Sequence, residues 1–259
     1  MNEYNVMELM IVLAARHLKD GVSVVVGTGG PCAAVMLAQK TSAPNLLILF
    51  EAGGVGPQLP SMPISVGDSR TFYRGIMAST MLDVMDACQR GIIDYAFLGG
   101  AQIDVYGNLN STQIGKDHSH PKVRFPGSGG ANDLASLCWR TIIMILHNKR
   151  RFVEKVDFVT TPGYLTGKGS REEAGLPKDT GPYKVITNLA VLGFDELTCR
   201  MCIELVHPGV NVKKVQENTG FELLKKSPVE VTKPPTEEEL RILREEVDPG
   251  RYLIGKDPA

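Results

Sequence analysis

The chain has 259 residues, 43% of them apolar and 22% charged, ordinary proportions for a globular protein with a sizeable core. Lys plus Arg number 28 against 29 for Asp plus Glu, so no basic excess points to nucleic acid, and no basic amphipathic helix points to a membrane surface. Residues 1–5 carry no positive n-region, and the apolar stretch after them is broken by Glu8, Arg16 and His17, which argues against a signal peptide or a membrane span; five scattered cysteines, an odd number, fit reduced thiols in a cytoplasmic protein.

Met7, Met10, Ile11, Ala14 and Leu18 recur at three- and four-residue steps and predict an opening helix that stops at Asp20-Gly21. Residues 22–26 are Val-rich and end at Gly27-Thr28-Gly29-Gly30-Pro31, followed by a helical stretch over 32–39, which is a strand, a glycine turn and a helix. Residues 45–50 (NLLILF) are almost uniformly apolar, as in a strand buried on both faces, and end abruptly at Glu51-Ala52-Gly53-Gly54. A helix is predicted over 79–90, with Met81, Val84, Met85 and Cys88 on one face, then a third buried strand over 95–98 that ends in Gly99-Gly100.

Beyond it, Tyr106-Gly107-Asn108 reads as a turn and residues 125–132 as a Gly-rich loop. Strands are predicted over 141–146 and 156–160, and a strand pair over 185–192 and 200–205. Residues 161–182 and 228–235 read as loops, and Thr236-Glu237-Glu238-Glu239 as a capping box opening a helix over about 236–247, stopped by Asp248-Pro249-Gly250. Strands alternating with helices predict an α/β fold, with an open, mostly parallel sheet and helices on both faces. The expectation is a single domain over 1–259.

In open parallel sheets ligands sit beyond the carboxyl ends of the strands. Three apolar runs here end in glycines, which let a substrate approach the backbone closely. Only the second places an ionisable side chain directly at the strand end. That residue is Glu51, a carboxylate that can serve as nucleophile or base. A Glu beside a glycine turn is ordinarily a solvated surface group, so the pattern alone leaves both readings open. The glycines at 27–30 are neither a dinucleotide fingerprint nor a P-loop. Cys199-x-x-Cys202 lacks a second pair, and packing thiols are the plainer reading than a metal site. His118 and His120 fall in a polar loop with no supporting acidic ligands, better placed near an active-site mouth than around a metal. Lys149-Arg150-Arg151 could meet a ligand phosphate, although a short basic run is usually a solvated helix end.

Several blocks resemble family I CoA-transferases, most of all the β subunits of the glutaconate type. Glu51-Ala-Gly-Gly-Val-Gly56 is similar to their E-S/N-G-x-x-G nucleophile motif, with Ser65-Val66-Gly67-Asp68 following it. The stretch from Leu98 to Ser111 is similar to their GGAQID-x-YGN-x-NS block, and Phe125-Pro-Gly-Ser-Gly-Gly-Ala-Asn132 to their GSGGAN loop. Glu217-Asn-Thr-Gly-Phe221 and Arg244-Glu-Glu-Val-Asp-Pro-Gly250 match C-terminal blocks. The resemblance spans nearly the whole chain and departs at Ala52, where the motif has Ser or Asn.

It implies a fold shared with ribose-phosphate isomerases and a ping-pong transfer of CoA between an acyl-CoA, such as acetyl-CoA, and a dicarboxylate such as glutaconate. Glu51 would carry the acyl group and then CoA as a glutamyl-CoA thioester, with no metal or other cofactor. It further implies that Gly129, Gly130 and Ala131 contact the oxyanion or the CoA arm, that Gly99 and Gln102 line the acyl site, that Gly29 and Gly30 shape the pocket's first wall, and that Gly53 is among the substrate- or CoA-binding residues. A separate α subunit would complete the site in an (αβ)₂ or larger hetero-oligomer. Acyl-CoA decarboxylases and CoA-ester hydrolases share the scaffold with a changed nucleophile position, so Glu51 argues for transfer. A non-catalytic subunit that binds CoA esters is the other alternative.

Overall fold

The computed structural model describes residues 3–255, which form two compact units, one up to Phe97 together with residues from Lys233 onward, the other Leu98–Thr232. In the first unit, helix α1 (Val6–Arg16) opens with a capping box in which Asn5 accepts from the Glu8 N–H and Glu8 from the Asn5 N–H. Strand β1 (Ser23–Val26) leads into helix α2 (Gly30–Lys40), which packs along α1, and then strand β2 (Leu47–Phe50). Two short strands, β3 (Gly54–Val55) and β4 (Met77–Ala78), fold back antiparallel, separated by a 3₁₀ turn at Ser69–Phe72. Helix α3 (Met81–Gln89) starts from a second capping box, Thr80 with Asp83, and strand β5 (Tyr95–Leu98) follows. β5, β1 and β2 are parallel neighbours and their backbones are buried, as uniformly apolar sequence demands.

The second unit begins with two small hairpins, β6 (Gln102–Ile103) with β7 (Leu109–Asn110) and β8 (Gln113–Ile114) with β9 (Val123–Arg124). Helix α4 (Ala131–Leu137), strand β10 (Arg140–Met144) and the single helical turn α5 (Ser170–Glu173) lead to β11 (Gly181–Ile186), β12 (Ala190–Phe194) and β13 (Met201–Val206). Helix α6 (Val212–Glu217) and strand β14 (Leu224–Val231) complete it. β10 and β11 pair parallel, β11, β12 and β13 antiparallel, and β13 and β14 parallel. The α/β class read from the sequence is therefore what forms.

Helix α7 (Glu237–Ile242) returns the chain to the first unit through the expected Thr236–Glu239 capping box, and a π-turn extends it to Val247. Two bidentate ion pairs hold this segment against α1: Arg16 grips Glu239 at 2.6 and 2.8 Å, and Arg244 grips the buried Glu8 at 2.6 and 3.0 Å.

Three sequence expectations are corrected. Residues 156–160 form no strand. Their backbone is irregular because side chains capture it: the Asp157 N–H donates to the Gln102 Oε1 and the Thr160 carbonyl accepts from the Asn132 Nδ2, while Phe158 and Val159 face solvent. The run over 185–192 is split by a turn in which the Thr187 hydroxyl accepts from the Leu189 and Ala190 N–H groups. Residues 228–231, read as loop, belong to β14, an exposed edge strand whose Lys225, Lys226 and Pro228 erase the apolar alternation and blunt the edge.

The second unit buries His147 under Phe152, the rings stacked at 3.8 Å, with its nitrogens on the Thr187 and Thr219 hydroxyls. Burial pushes its pKa down to about 3. A depressed His pKa contributes stability that is complete above the unfolded value near 6.5 and is lost as pH falls toward 3, amounting to about 3 kcal/mol at pH 4. Asp104 acts oppositely: burial raises its carboxyl to about 6, so its protonation favours the fold as pH drops from 6 to 3.8. A His147→Asn variant should therefore lose about 3 kcal/mol less than wild type between pH 7 and pH 4 in urea titrations; parallel stability profiles for the two proteins would refute the assignment.

Candidate functional site

Register places the ends of β1 and β2 side by side, Val26 opposite Phe50. The segments leaving the two strands therefore share one sheet edge, the carboxyl edge at which α/β folds bind ligands. After β1 the chain turns through Gly29, whose φ of 80° and ψ of −146° suit only glycine, and enters α2 with Gly30 and Pro31 in its first turn. After β2 comes Glu51.

Glu51 and Ala52 form the tip of a hairpin. The Gly53 N–H closes the turn on the Phe50 carbonyl at 2.9 Å, and the Gly56 N–H returns to the Ile48 carbonyl at 2.7 Å. Gly53 has a φ of 112°, and a Cβ there would overlap the Ser79 carbonyl; a Cβ on Gly54 would overlap the Thr71 carbonyl. These close approaches explain both glycines. The Gly53 carbonyl is held in turn by the Ser79 N–H and hydroxyl, each at 2.9 Å.

The Thr71 carbonyl is delivered by the 3₁₀ turn that Asp68 caps. Asp68 accepts from the Arg70 N–H and guanidinium and from the Ile64 N–H, which holds its carboxyl well below the usual carboxylate range. The block at 65–68 thus buttresses the turn that carries Glu51. No sequence pattern marks Ser79, Thr71 or Arg70, although Asp68 stands in the block after the nucleophile motif. Glu51 itself is half-buried, and among the described residues no hydrogen bond or ion pair reaches its carboxylate.

The candidates divide between the units, with Gly29, Gly30, Glu51 and Gly53 in the first and Gly99, Gln102, Gly129, Gly130 and Ala131 in the second. In the second, Gly99 is exposed just beyond β5. Gln102 is buried, its Oε1 accepting from the Asn110 Nδ2 at 2.7 Å and the Asp157 N–H at 3.0 Å, so its polar atoms serve the scaffold. The same block buries Asp104, which accepts from the Tyr106 and Asn108 N–H groups and the Asn108 Nδ2, while the Asn108 Oδ1 accepts from the Gly163 and Leu165 N–H groups. Nothing in periodicity marks these residues as core, and only the length of the block signals them.

The Gly-rich loop stands open. Gly129, at a φ of 51°, has no atom within 4 Å of where a Cβ would stand. Ala131 spends its N–H on the Ser128 carbonyl, whereas among the described residues the N–H groups of Gly129 and Gly130 make no hydrogen bond. The sequence reads as loop through residue 132, but the helix begins at Ala131, immediately after the glycines.

A groove of about 1730 Å³ in the second unit, lined by Arg140, Tyr164, Lys184, Phe194, Glu204 and Lys226 among others, includes none of the nine candidates. Cys199 and Cys202 line it as free thiols raised by burial. His118 stacks on Phe158 at 5.7 Å, and the His120 Nδ1 lies 3.3 Å from Asp117. Among the described residues no three His, Cys, Asp or Glu side chains group as a metal site, and no helix is long and apolar enough to cross a membrane.

Known proteins resemble this chain over nearly its whole length. The chain is 41% identical to the B subunit of glutaconate CoA-transferase from Acidaminococcus fermentans, across 97% of this chain and 95% of that one. It is 38% identical to the B subunit of 3-oxoadipate CoA-transferase from Pseudomonas knackmussii, across 94% of each. The crystal structure of glutaconate coenzyme A-transferase from A. fermentans superposes with a TM-score of 0.93 at 40% identity, covering 99% of both chains. The model of the coenzyme A transferase family matches residues 7–218, and the chain belongs to that family.

Proposed function

We propose that this chain is the nucleophile-bearing subunit of a CoA-transferase that moves CoA between an acyl-CoA and a dicarboxylate, through a thioester on Glu51. The observation that carries the reading is the Glu51 carboxylate, fixed at the carboxyl edge of two parallel strands yet bonded to no described group. The two relatives above are named for glutaconate and 3-oxoadipate, both dicarboxylates, which supports that acid class.

In the proposed reaction a Glu51 oxygen attacks the thioester carbonyl of the acyl-CoA. The C–S bond breaks, CoA leaves as thiolate, and an acyl-glutamyl anhydride remains. The thiolate then attacks the glutamyl carbonyl, releasing the first acid as carboxylate and leaving glutamyl-CoA. The incoming dicarboxylate repeats both steps in reverse, departing as the new CoA ester and restoring the Glu51 carboxylate. Charge is conserved at each step and no metal or prosthetic group enters; CoA is a substrate. A carboxylate is a weak nucleophile, so positioning and oxyanion stabilisation must supply much of the rate. The free N–H groups of Gly129 and Gly130 are the proposed donors to the oxyanion or the CoA arm. With five free cysteines, the protein is proposed to act in the reducing cytoplasm.

Both relatives are B subunits, and the proposed protein works with an α subunit in an (αβ)₂ or larger assembly. The first unit supports this. Ile64, Tyr73, Ile76, Met77, Met81, Leu82 and Ile92 are all exposed, Ile76 and Leu82 by 78%, and they fall on the elements that follow and brace the Glu51 turn. Large apolar side chains concentrated in this way mark an interface.

Incubating the assembled complex with acyl-CoA and acetate separates the chemistries: transfer yields acetyl-CoA, hydrolysis free CoA, and decarboxylation carbon dioxide with the thioester intact. After acyl-CoA treatment, mass spectrometry should find a CoA adduct on the peptide containing Glu51, and borohydride should reduce that side chain to the primary alcohol with release of CoA. A Glu51→Gln variant should lose the adduct and at least about 10³-fold in kcat; normal turnover in that variant would remove the nucleophile from this position. An Ile76→Asp/Leu82→Asp double variant should remain folded by circular dichroism but fail to co-purify with the α subunit; a normal complex would exclude this surface.

A further inference from the structure

CoA carries its charge far from its reacting end. The nucleotide half bears a diphosphate and a 3′-phosphomonoester, between about three and four negative charges near neutral pH. A chain with a net charge of −1 must meet that end with a local concentration of cations. The β8–β9 hairpin holds one. Lys116, His118, His120, Lys122 and Arg124 lie within nine residues, all exposed. Its lone acid, Asp117, is occupied by the Ser119 N–H and the His120 ring, which keep its carboxyl below the ordinary range. Among the described residues no ion pair reaches Lys116, Lys122 or Arg124.

The hairpin is also built rather than loose. The Arg124 guanidinium braces it from within, donating to the Gln113 Oε1 at 3.2 Å and the His118 carbonyl at 2.8 Å. The Lys122 N–H reaches the Ile114 carbonyl, and the Gly115 N–H donates to Asp157 at 2.9 Å, which ties the hairpin to the buried Gln102 network. Beside it Phe158 is 36% exposed and stacked with His118 at 27°, a flat apolar surface of the kind a purine base stacks on.

β9 then runs directly into the Gly-rich loop. The Phe125 N–H donates to the Thr112 carbonyl, the Gly127 N–H to the Ser111 carbonyl, and the Ser111 hydroxyl to the Gly127 carbonyl. Four residues separate Arg124 from Gly129, so the two lie at most ~18 Å apart, within reach of a pantetheine arm. The other basic run, Lys149-Arg150-Arg151, lacks a neighbouring exposed aromatic face, since the adjacent Phe152 is wholly buried.

We infer that the β8–β9 hairpin is the seat of the nucleotide half of the CoA ester, with Lys116, Lys122 and Arg124 meeting its phosphates and the His118–Phe158 pair its adenine. The inference rests on the CoA-transferase reading for its ligand. In the assembled complex a Lys116→Glu/Lys122→Glu variant should raise KM for acyl-CoA at least about 10-fold. That penalty should vanish when acyl-pantetheine, which lacks the nucleotide, replaces acyl-CoA. Lys178→Glu, an exposed lysine elsewhere in the unit, controls for long-range charge and should raise KM less than twofold. Phe158→Ala should raise KM for acyl-CoA about threefold, with the same relief on acyl-pantetheine. An unchanged KM in the double-Glu variant, or an equal penalty with acyl-pantetheine, overturns the assignment. Calorimetric titration with adenosine 3′,5′-bisphosphate keeps the two readings apart. If wild type turns over no CoA ester, the transferase reading fails, and the hairpin still stands or falls on whether the double-Glu variant weakens this binding about 10-fold.

Discussion

Two backbone crossings determine where the carboxylate of this protein can be. Gly53 passes beneath the Ser79 carbonyl and Gly54 beneath the Thr71 carbonyl, so closely that neither position has room for a Cβ. The turn between them and β2 is thereby packed against two backbone segments, and Glu51 rides on this braced element. For the proposed nucleophile this matters, because conformational freedom at a reacting group costs rate directly. The sequence between β3 and α3, irregular in appearance, consists largely of the means to this end: Asp68 and Arg70 shape the 3₁₀ turn that presents Thr71, and Ser79 grips the Gly53 carbonyl just before α3 begins.

The second unit solves a different problem in a different way. Its long recognised block is polar, yet Gln102, Asp104, Asn108 and Asn110 are all buried. Burial of polar groups is tolerable only when each finds a partner, and here they find one another or the backbone of residues far along the chain, such as Gly163 and Leu165 for Asn108. An apolar core would fill space equally well but would not specify direction. A hydrogen-bonded network does, and it fixes the strands from which the β8–β9 hairpin and the Gly-rich loop emerge. Ser111, at the end of the block, bonds the loop at Gly127 in both directions.

Much of the architecture was legible in the sequence because burial leaves an unambiguous trace. Residues 22–26, 45–50 and 95–98 are apolar without alternation, and they are the parallel strands of the first unit. Capping signals located α7. Reading failed where a side chain rather than a periodicity decides the backbone. Residues 156–160 have strand-like composition, but Gln102 and Asn132 capture backbone groups at both ends, and only an isolated bridge of Thr161 with Leu109 forms beside them. Thr187 breaks a continuous apolar run by bonding two N–H groups itself, and β14 carries the Lys and Pro of a protected edge, which reads as loop. The site divides similarly. The position of Glu51 at a strand end was legible because a charge ends an apolar run, whereas the burial of Gln102 was not, since a buried amide and a pocket-lining amide look alike in one dimension.

Several other carboxylates are engaged where Glu51 is not. Asp68 is spent on Arg70, Asp83 on the Thr80 cap, Asp195 on Thr198, Glu239 on Arg16 and Thr236, and Glu8 on Arg244 and Asn5. Each accepts hydrogen bonds that would have to break, or be carried into the transition state, before an oxygen lone pair could attack carbon. Donors to Asp68 and Asp83 pull their electron density away and hold both carboxyls below the ordinary range. Glu51 bears no such load among the described residues. Its half-buried site strips some water without substituting protein donors. A carboxylate with no hydrogen bond to break keeps its oxygen lone pairs available, as the proposed attack on a thioester carbonyl would need.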